Sequence, residues 1–351
     1  MDMKKKVKIY TPMQNAGSEE NMQILQPGIA NSNLCELVEL PSQVRTLGHP
    51  DGPYIKSAPQ TSGRPKDVDL MILHGCMQPD QAIVWREQYP DIPAIVMDYK
   101  DELELYHPKL RVLAHFKRNM AIRKWGNPLG VENYSPHVVH FSPYCVREDI
   151  VKEFEKHKNK PREMDVCCFF EPNDDKWSQH IPMHYERGGS LREMVERNIG
   201  WCGVRRLIAS TLVASKKWYG CGYNMHIGKT GGGQTEGRRT PQEDYCRLMA
   251  TTKIIVTATP DGWEGDYRLM EAMSSGALVL HNRMILPPVG LQDGKHWVIY
   301  DNHVDMLEKV YYYMANQDKA LAIGEEGRKY VMSHHRPHHR IEGYLRTVNI
   351  L

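Results

Sequence analysis

Short apolar runs alternate with amphipathic stretches along the whole chain, and each run has the length of a buried strand. The first half contains strand patterns and helix patterns in turn: strands at Val7–Tyr10, Asp67–Leu73, Ile92–Met97 and Val138–Phe141, and helices at Gln78–Tyr89 and His107–Lys124. Strands that alternate with helices favour parallel βαβ units, with helices on both faces of a sheet.

The same alternation begins again in the second half of the chain. Its predicted strands are Met164–Phe170, Tyr223–Ile227, Ile254–Ala258, Ala277–Leu280 and Trp297–Tyr300. Its predicted helices are Val204–Lys217, Pro241–Thr251, Tyr267–Ser274, Val304–Ala315 and Gln317–Ser333. The pattern therefore predicts an α/β protein built from two successive series of βαβ units.

The chain has 351 residues, which is more than one ordinary domain holds. A charged stretch, Val151–Arg162, separates the two series and is interrupted by Pro161. We therefore predict an N-terminal domain over residues 1–160 and a C-terminal domain over 161–336, with 337–351 as a helix that returns to the first domain. Ligands of such open sheets bind beyond the carboxyl ends of the strands, which meet at one cleft if the two sheets face each other.

Composition excludes several classes of protein. There are 45 Lys and Arg residues against 43 Asp and Glu, and this near balance argues against a dedicated nucleic-acid binder. The eight Cys form no CxxC pair, so a zinc ribbon is not expected, and free thiols favour a reducing cytoplasm. No signal peptide and no run of apolar residues long enough to span a membrane is found, so we expect a cytoplasmic protein.

The most informative segment runs from Ile254 to Leu280, where a strand, a turn and a helix follow one another. Asp266 is placed to cap the helix, whose first turn offers free N–H groups and the positive end of the helix dipole to an anion. Arg268 can pair with phosphate oxygens, and Glu271, one turn later on the same face, suits two sugar hydroxyls. The alternative is an ordinary capped helix with an exposed Arg–Glu pair.

At these residues the sequence resembles a known family. The stretch Asp266–Leu280, DYRLMEAMSSGALVL, and the later Asp293–Asp301, DGKHWVIYD, are similar to the C-terminal donor domain of GT-B glycosyltransferases, in particular exostosin-like and family-1-type modules. The similarity covers roughly residues 200–340 and extends to the N-terminal half only in architecture. It implies two Rossmann-like domains that face each other across a cleft.

The resemblance also implies roles for individual residues. Glu271 would contact the donor ribose and Arg268 the diphosphate, beside Tyr267 in the first turn of the helix. The segment Asp261–Asp266 would line the transferred sugar and includes Trp263 and Gly265. Arg205 would be a second phosphate-facing arginine, with Arg206 as the alternate, although a solvated basic helix face remains open for both.

The glycine-rich segment His226–Gly233 resembles a phosphate-binding P-loop. The P-loop interpretation fails because GxxxxGK[ST] requires glycine at the position of Tyr223, and because the glycines follow Lys229. We predict instead a loop beyond a strand end, with Ile227 near the nucleotide base and Lys229 near phosphate. A plain surface loop is the alternative.

Acidic residues and one histidine mark strand ends in the first half. An inverting transferase needs a base for the acceptor hydroxyl, and Asp98 is the first candidate, followed by Asp101 and His74. Capping of the next helix is an equally good role for Asp98. The acids at positions 98 and 101 are three apart and do not form a DxD metal motif. The histidines around Pro337 lack a carboxylate or Cys partner, so no metal site is predicted.

These inferences together predict a glycosyltransferase that moves a sugar from a UDP- or GDP-sugar to a hydroxyl of a glycan or other acceptor. The reaction is expected to be inverting and independent of metal, with no permanently bound cofactor. Two alternatives remain: a nucleotide-sugar epimerase or hydrolase of the same fold, and a non-catalytic carbohydrate-binding protein.

Overall fold

The computed structural model describes residues 6–11, 24–38, 67–74, 79–99, 110–118, 138–170, 203–218, 222–228, 243–259, 266–284 and 286–351. These residues form two compact units. The first holds the described residues before Val146 together with Arg336–Leu351, and the second holds Val146–His335. The division thus lies between Cys145 and Val146, earlier than the boundary predicted at residue 160.

The position of this division has a physical reason. The helix α3, Glu148–Glu155, lies in the stretch that the charge pattern assigned to the first domain. Its apolar residues Ile150, Val151 and Phe154 are buried in a core of the second unit, with residues of the second sheet and its helices. The charged positions of Val151–Arg162 are the solvent face of this amphipathic helix rather than a linker.

The first unit is built on a sheet of six parallel strands among the described residues: β1 Val7–Tyr10, β2 Cys35–Leu37, β3 Leu70–His74, β4 Ala94–Asp98, β5 Ala114–Lys117 and β6 Val138–Phe141. Their order in the sheet is β2-β1-β3-β4-β5-β6. Such an order is doubly wound, with the direction of winding reversed between β1 and β3.

Helices of the first unit are α1 Gln26–Ala30, α2 Pro79–Gln88 and α9 Pro337–Thr347. Helix α9 packs closely on α1, since a Cβ at Gly28 would lie 2.6 Å from Cγ1 of Ile341. A network of buried hydroxyl groups joins α9 to the first unit's sheet. The Tyr344 hydroxyl oxygen lies 3.0 Å from that of Tyr99 and 2.6 Å from Oγ of Ser142. The last helix is therefore an integral part of the first unit.

The described residues of the second unit contain five parallel strands: β7 Met164–Cys168, β8 Met225–Ile227, β9 Thr252–Thr257, β10 Leu278–Asn282 and β11 Val298–Tyr300. Besides α3, its described helices are α4 Gly203–Trp218, α5 Glu243–Ala250, α6 Tyr267–Ser274, α7 His303–Ala315 and α8 Gln317–His334. The strand order β8-β7-β9-β10-β11 again reverses between the first and third strands, here β7 and β9.

Each sheet is covered on both faces, as parallel sheets require. In the second unit Ile254 and Val256 of β9 face one core, while Ile255 between them faces the other. The first sheet shows the same alternation, with Ile95 and Val96 in different cores. The predicted fold class, α/β with two parallel sheets, is confirmed.

Two secondary-structure predictions need correction. The predicted helix His107–Lys124 contains the strand β5, and the strand β2 was not predicted. In β5 the sequence Ala-His-Phe-Lys alternates with a period of two, but His115 and Lys117 are polar and nevertheless buried. Their burial depends on Asp98 of β4, a partner that a local pattern does not show.

None of the described helices combines the length and the apolar composition that crossing a membrane requires.

Candidate nucleotide site

The candidate site lies where the winding of the second sheet reverses, at the carboxyl ends of β7 and β9. This switch point is where doubly wound sheets bind their ligands. The chain continues there as Phe169 and Phe170 after β7, and as Ala258 and Thr259 after β9. Helix α6 begins nearby with Asp266 as its N-cap.

The ring of Phe170 contacts the guanidinium groups of two arginines. The guanidinium carbon of Arg205 lies 4.8 Å from the ring centroid, and that of Arg268 lies 5.3 Å from it. Arg205 comes from α4 and Arg268 from the first turn of α6, so one aromatic side chain gathers cations from two helices. Cation–π attraction offsets part of the repulsion between the two positive charges.

Asp266 joins the arginines to the start of α6. One carboxylate oxygen accepts a hydrogen bond of 3.1 Å from the backbone N–H of Arg268, which confirms the predicted N-cap. The other oxygen accepts from the guanidinium of Arg205, whose Nε also donates to the carbonyl of Ala258 at 3.1 Å. Arg205 is thereby fixed between the end of β9 and the start of α6.

Glu271 lies on the next turn of α6 and is buried, with 2% of its surface exposed. Its Oε2 accepts a hydrogen bond of 2.8 Å from the hydroxyl of Tyr245 on α5. Burial raises the pKa of Glu271 to about 7, against the lowering effects of the Tyr245 hydrogen bond and of Arg147 and Arg268. The sequence left open an exposed surface pair of Arg268 and Glu271. The burial of Glu271 excludes that alternative.

The end of β10 forms a neutral polar border of the site. Asn282 accepts a hydrogen bond of 2.8 Å from the backbone N–H of Thr259 and donates one of 3.0 Å to its hydroxyl. Burial lowers the pKa of His281 to about 4, so this imidazole is uncharged at neutral pH. These contacts tie the carboxyl ends of β9 and β10 together without adding charge.

Several polar atoms of the site lack protein partners. Among the residues that the structure describes, Nε of Arg268 and Oγ1 of Thr257 are buried and have no hydrogen-bond partner. Glu271 likewise uses only Oε2 in the hydrogen bonds found in this part of the chain. Because buried polar groups are normally hydrogen-bonded, such atoms at a switch point indicate a polar ligand.

Three residues of the candidate site, besides these arginines and Glu271, were not predicted from the sequence as site residues. Phe169 and Phe170 were assigned to the strand itself, whereas β7 ends at Cys168 and both rings lie beyond it. Tyr245 belongs to a helix without a motif, so nothing local pointed to it. The strand end was the one available signal for the phenylalanines.

The other predicted nucleotide-site residues fall into two groups. Ile227 is the last residue of β8 and packs against the core that contains Phe170, and Tyr267 opens α6 with its ring 5.9 Å from the Arg268 guanidinium. Outside the described residues lie Lys229, Asp261, Trp263 and Gly265.

The predicted base candidates lie in the first unit. Asp98 is the last residue of β4 and is buried. Its Oδ2 lies 2.8 Å from Nζ of Lys117, in an ion pair, and 3.2 Å from Nε2 of His115. Burial acts to raise the pKa of Asp98, but the His115 hydrogen bond and the Lys117 charge outweigh it and lower the pKa. His74 ends β3, and Asp101 lies outside the described residues. Their catalytic roles stay predictions.

No group of three or more His, Cys, Asp and Glu is placed to hold a metal ion within the described residues.

A family model described as glycosyl transferase-like matches residues 199–346. The match covers all the residues of the site from Arg205 to Glu271, as well as the helices that follow. The C-terminal region thus matches a glycosyl transferase-like family, and the resemblance predicted for it from the sequence is confirmed. No curated protein matches the chain.

Solved structures show similarity at low identity. HepE from Anabaena, in complex with UDP, is 11% identical with a TM-score of 0.49, over 99% of this chain and 100% of that one. Sucrose-phosphate synthase from Thermosynechococcus elongatus is 10% identical with a TM-score of 0.44, over 81% and 74%. The pneumococcal O-GlcNAc transferase GtfA, in complex with UDP and GlcNAc, is 12% identical with a TM-score of 0.39, over 80% and 56%.

Proposed function

We propose that the protein is a glycosyltransferase that uses a nucleoside-diphosphate sugar as donor and a hydroxyl group as acceptor. The observation that carries this proposal is the pair of arginines over Phe170 at the start of α6, with a buried carboxylate one turn away. The pair lies within the region that matches the glycosyl transferase-like family.

The diphosphate is assigned to Arg268, Arg205 and the first turn of α6. A helix start presents unpaired N–H groups and a positive dipole end to an anion. Arg268 adds a guanidinium whose Nε has no partner within the described part of the chain, and Arg205 adds a second positive charge. Asp266 offsets one of these charges, which leaves the other guanidinium and the helix start to face a diphosphate.

The ribose is assigned to Glu271. A carboxylate accepts hydrogen bonds from two neighbouring hydroxyls, and acidic residues contact the ribose in other doubly wound nucleotide sites. One helical turn along α6 separates Glu271 from Arg268, which is a suitable step from phosphate to ribose. The spacing of cation and carboxylate thus follows the order of groups in a nucleoside diphosphate.

The same arginines would assist the transfer itself. Negative charge grows on the diphosphate as the bond to the sugar breaks, and fixed cations stabilise that charge. The inverting course, the metal independence and the glycan acceptor are part of the proposal and come from the sequence. The low pKa of Asp98 in its ion pair makes this residue a weak proton acceptor.

Titration of the protein with UDP and with GDP by calorimetry tests the donor site. We expect one of them to bind, and Glu271→Ala to weaken binding about 10- to 100-fold, the effect of losing hydrogen bonds to a charged group. Glu326→Ala is the control, because Glu326 is a surface carboxylate of the same unit. Absence of binding by the wild type, or equal binding by Glu271→Ala, would overturn the assignment.

Product analysis separates the alternatives from the proposal. A panel of nucleotide sugars is incubated with the protein, with and without hydroxyl acceptors, and the products are identified. Release of nucleotide that rises with a particular acceptor supports transfer. Turnover at the same rate with and without every acceptor indicates a hydrolase or epimerase. Carbohydrate binding that does not require a nucleotide indicates a non-catalytic protein.

A further inference from the structure

The two consecutive phenylalanines that follow β7 pack into different cores, one on each face of the second sheet. Phe170 packs into the core that contains Leu207 and Ile254, and its ring holds the two arginines. Phe169 packs into the other core and meets the ring of Tyr245 edge-on, with centroids 4.9 Å apart and an interplanar angle of 63°. The strand end thus supports both halves of the site.

Tyr245 stands between Phe169 and Glu271. Its ring is fixed by the edge contact with Phe169, and its hydroxyl donates a 2.8 Å hydrogen bond to Oε2 of Glu271. The hydrogen bond to Glu271 found among the described residues uses Oε2 and not Oε1. The carboxylate is therefore anchored through one oxygen, while the other is left for a ligand.

We propose that Tyr245 is a positioning residue of the nucleotide site, which holds the Glu271 carboxylate in place and in its ionised form for the ribose hydroxyls. This inference rests on the proposed function, because it assigns a role within the same donor site. Tyr245 itself need not touch the nucleotide.

The ionised form matters because Glu271 is buried in a setting that favours the neutral acid. Burial raises its pKa to about 7, and the Tyr245 hydroxyl is among the groups that oppose this rise. The titratable and charged groups that interact with Glu271 are Arg147 before α3, Tyr245 and Cys246 of α5, and Asp266 and Arg268 of α6. Loss of the tyrosine hydroxyl removes one of the stabilising hydrogen bonds to the carboxylate.

The variant Tyr245→Phe tests the role, since it keeps the ring against Phe169 and removes only the hydroxyl. We expect the pH midpoint of UDP binding to rise by about one unit, which corresponds to losing a hydrogen bond to a charged group. Affinity should therefore fall about tenfold at acidic to neutral pH and change little well above neutrality. Tyr312→Phe, at an exposed tyrosine of the same unit, is the matched control.

Two further measurements keep the inference separate from the proposed function. The pH dependence of the melting temperature without nucleotide reports the Glu271 titration directly, and its midpoint should also rise in Tyr245→Phe. In a Glu271→Gln background Tyr245→Phe should no longer shift either profile, because glutamine does not ionise. Failure of the wild type to bind nucleotide would overturn the proposed function, whereas binding with an unshifted Tyr245→Phe profile would overturn the role of Tyr245.

Discussion

Each of the two units contains a buried charged cluster at strand ends, and the clusters differ in how fully their groups are paired. In the first unit Asp98 lies within 3.2 Å of both His115 and Lys117, and all three side chains are nearly inaccessible. In the second unit Arg205 is paired with Asp266, but among the described residues Nε of Arg268 has no partner and only one oxygen of Glu271 is anchored.

The difference separates a structural cluster from a binding cluster. Burying a charge is costly unless a partner compensates it, so a fully paired cluster serves the folded state. A cluster with unfilled donors and acceptors carries a desolvation cost that a ligand can offset. We therefore expect changes in the first cluster to destabilise the fold most, and changes in the second to weaken ligand binding without a comparable loss of stability.

The largest effect is expected for Lys117→Met. It leaves the Asp98 carboxylate buried without its cation, which should destabilise the first unit by about 3–5 kcal/mol. Urea denaturation at neutral pH measures the loss. The double variant Asp98→Leu with Lys117→Met is the control and should recover most of the stability, since no unpaired charge remains.

The same residues allow a test against the predicted catalytic role of Asp98. Should Asp98→Asn remove turnover while denaturation and nucleotide binding stay unchanged, the cluster would be catalytic rather than structural. A loss of stability with turnover retained in the folded fraction would support the structural interpretation.

A somewhat smaller effect is expected for Glu271→Gln in the unliganded protein. The pKa of Glu271 is raised from 4.5 to about 7, so the proton bound in the folded state stabilises the wild type below the ordinary pKa. This contribution is lost as the pH rises from the ordinary value through the raised one. Glutamine does not titrate, so its free energy of unfolding lacks this decrease. Relative to the wild type, the free energy of unfolding of the variant should therefore rise by about 3 kcal/mol between the ordinary and the raised pKa.

Urea denaturation of both proteins at several pH values checks the sign. The free energy of unfolding of Glu271→Gln minus that of the wild type should increase with pH and then level off above neutrality. Glu326→Gln should show no such increase, because the pKa of Glu326 is lowered by Lys329. A difference that stays flat for Glu271→Gln would contradict the raised pKa of this buried carboxyl group.

Arg268→Ala is expected to act more strongly on binding than on folding. Removal of a charged partner of the diphosphate should weaken UDP binding by about 1.5–3 kcal/mol, or roughly 10- to 100-fold. The melting temperature should fall by less than in Lys117→Met, although the guanidinium also contacts the Phe170 ring and the Tyr245 hydroxyl. Arg247→Ala, at an exposed arginine of α5, provides the control and should leave both measurements unchanged.

The smallest effect is expected for the helix cap Asp266→Ala. Loss of the side-chain acceptor at the start of α6 should cost about 1 kcal/mol of stability. The loss of the ion pair should add little, because Arg205 is partly exposed and keeps its hydrogen bond to the Ala258 carbonyl. Asn302, which caps α7 away from the site through bonds to Val304 and Asp305, is the matched comparison. Equal losses for Asp266→Ala and Asn302→Ala would show that capping alone, and not the tie to Arg205, sets the cost.

Much of the second unit could be predicted from the sequence. The bounds of α6 and the cap at Asp266 follow from the local order of strand, turn and apolar helix face. The strand β5 could not be predicted, because its His115 and Lys117 are buried by a partner from another strand. Tyr245 and Phe169 could not be assigned to the site, because their contact with each other spans two elements far apart in the chain.

The sequence by itself determined the alternation of strands and helices, the two parallel sheets and the order of cation and carboxylate along α6. These properties depend on periodicity and on neighbours within a few residues. Only the tertiary structure decided which charges are compensated: Asp98 by Lys117, Arg205 by Asp266, and Glu271 by the Tyr245 hydroxyl. The reason is that burial and pairing are set by residues distant in the chain, and it is pairing that separates a stabilising charge from a binding one.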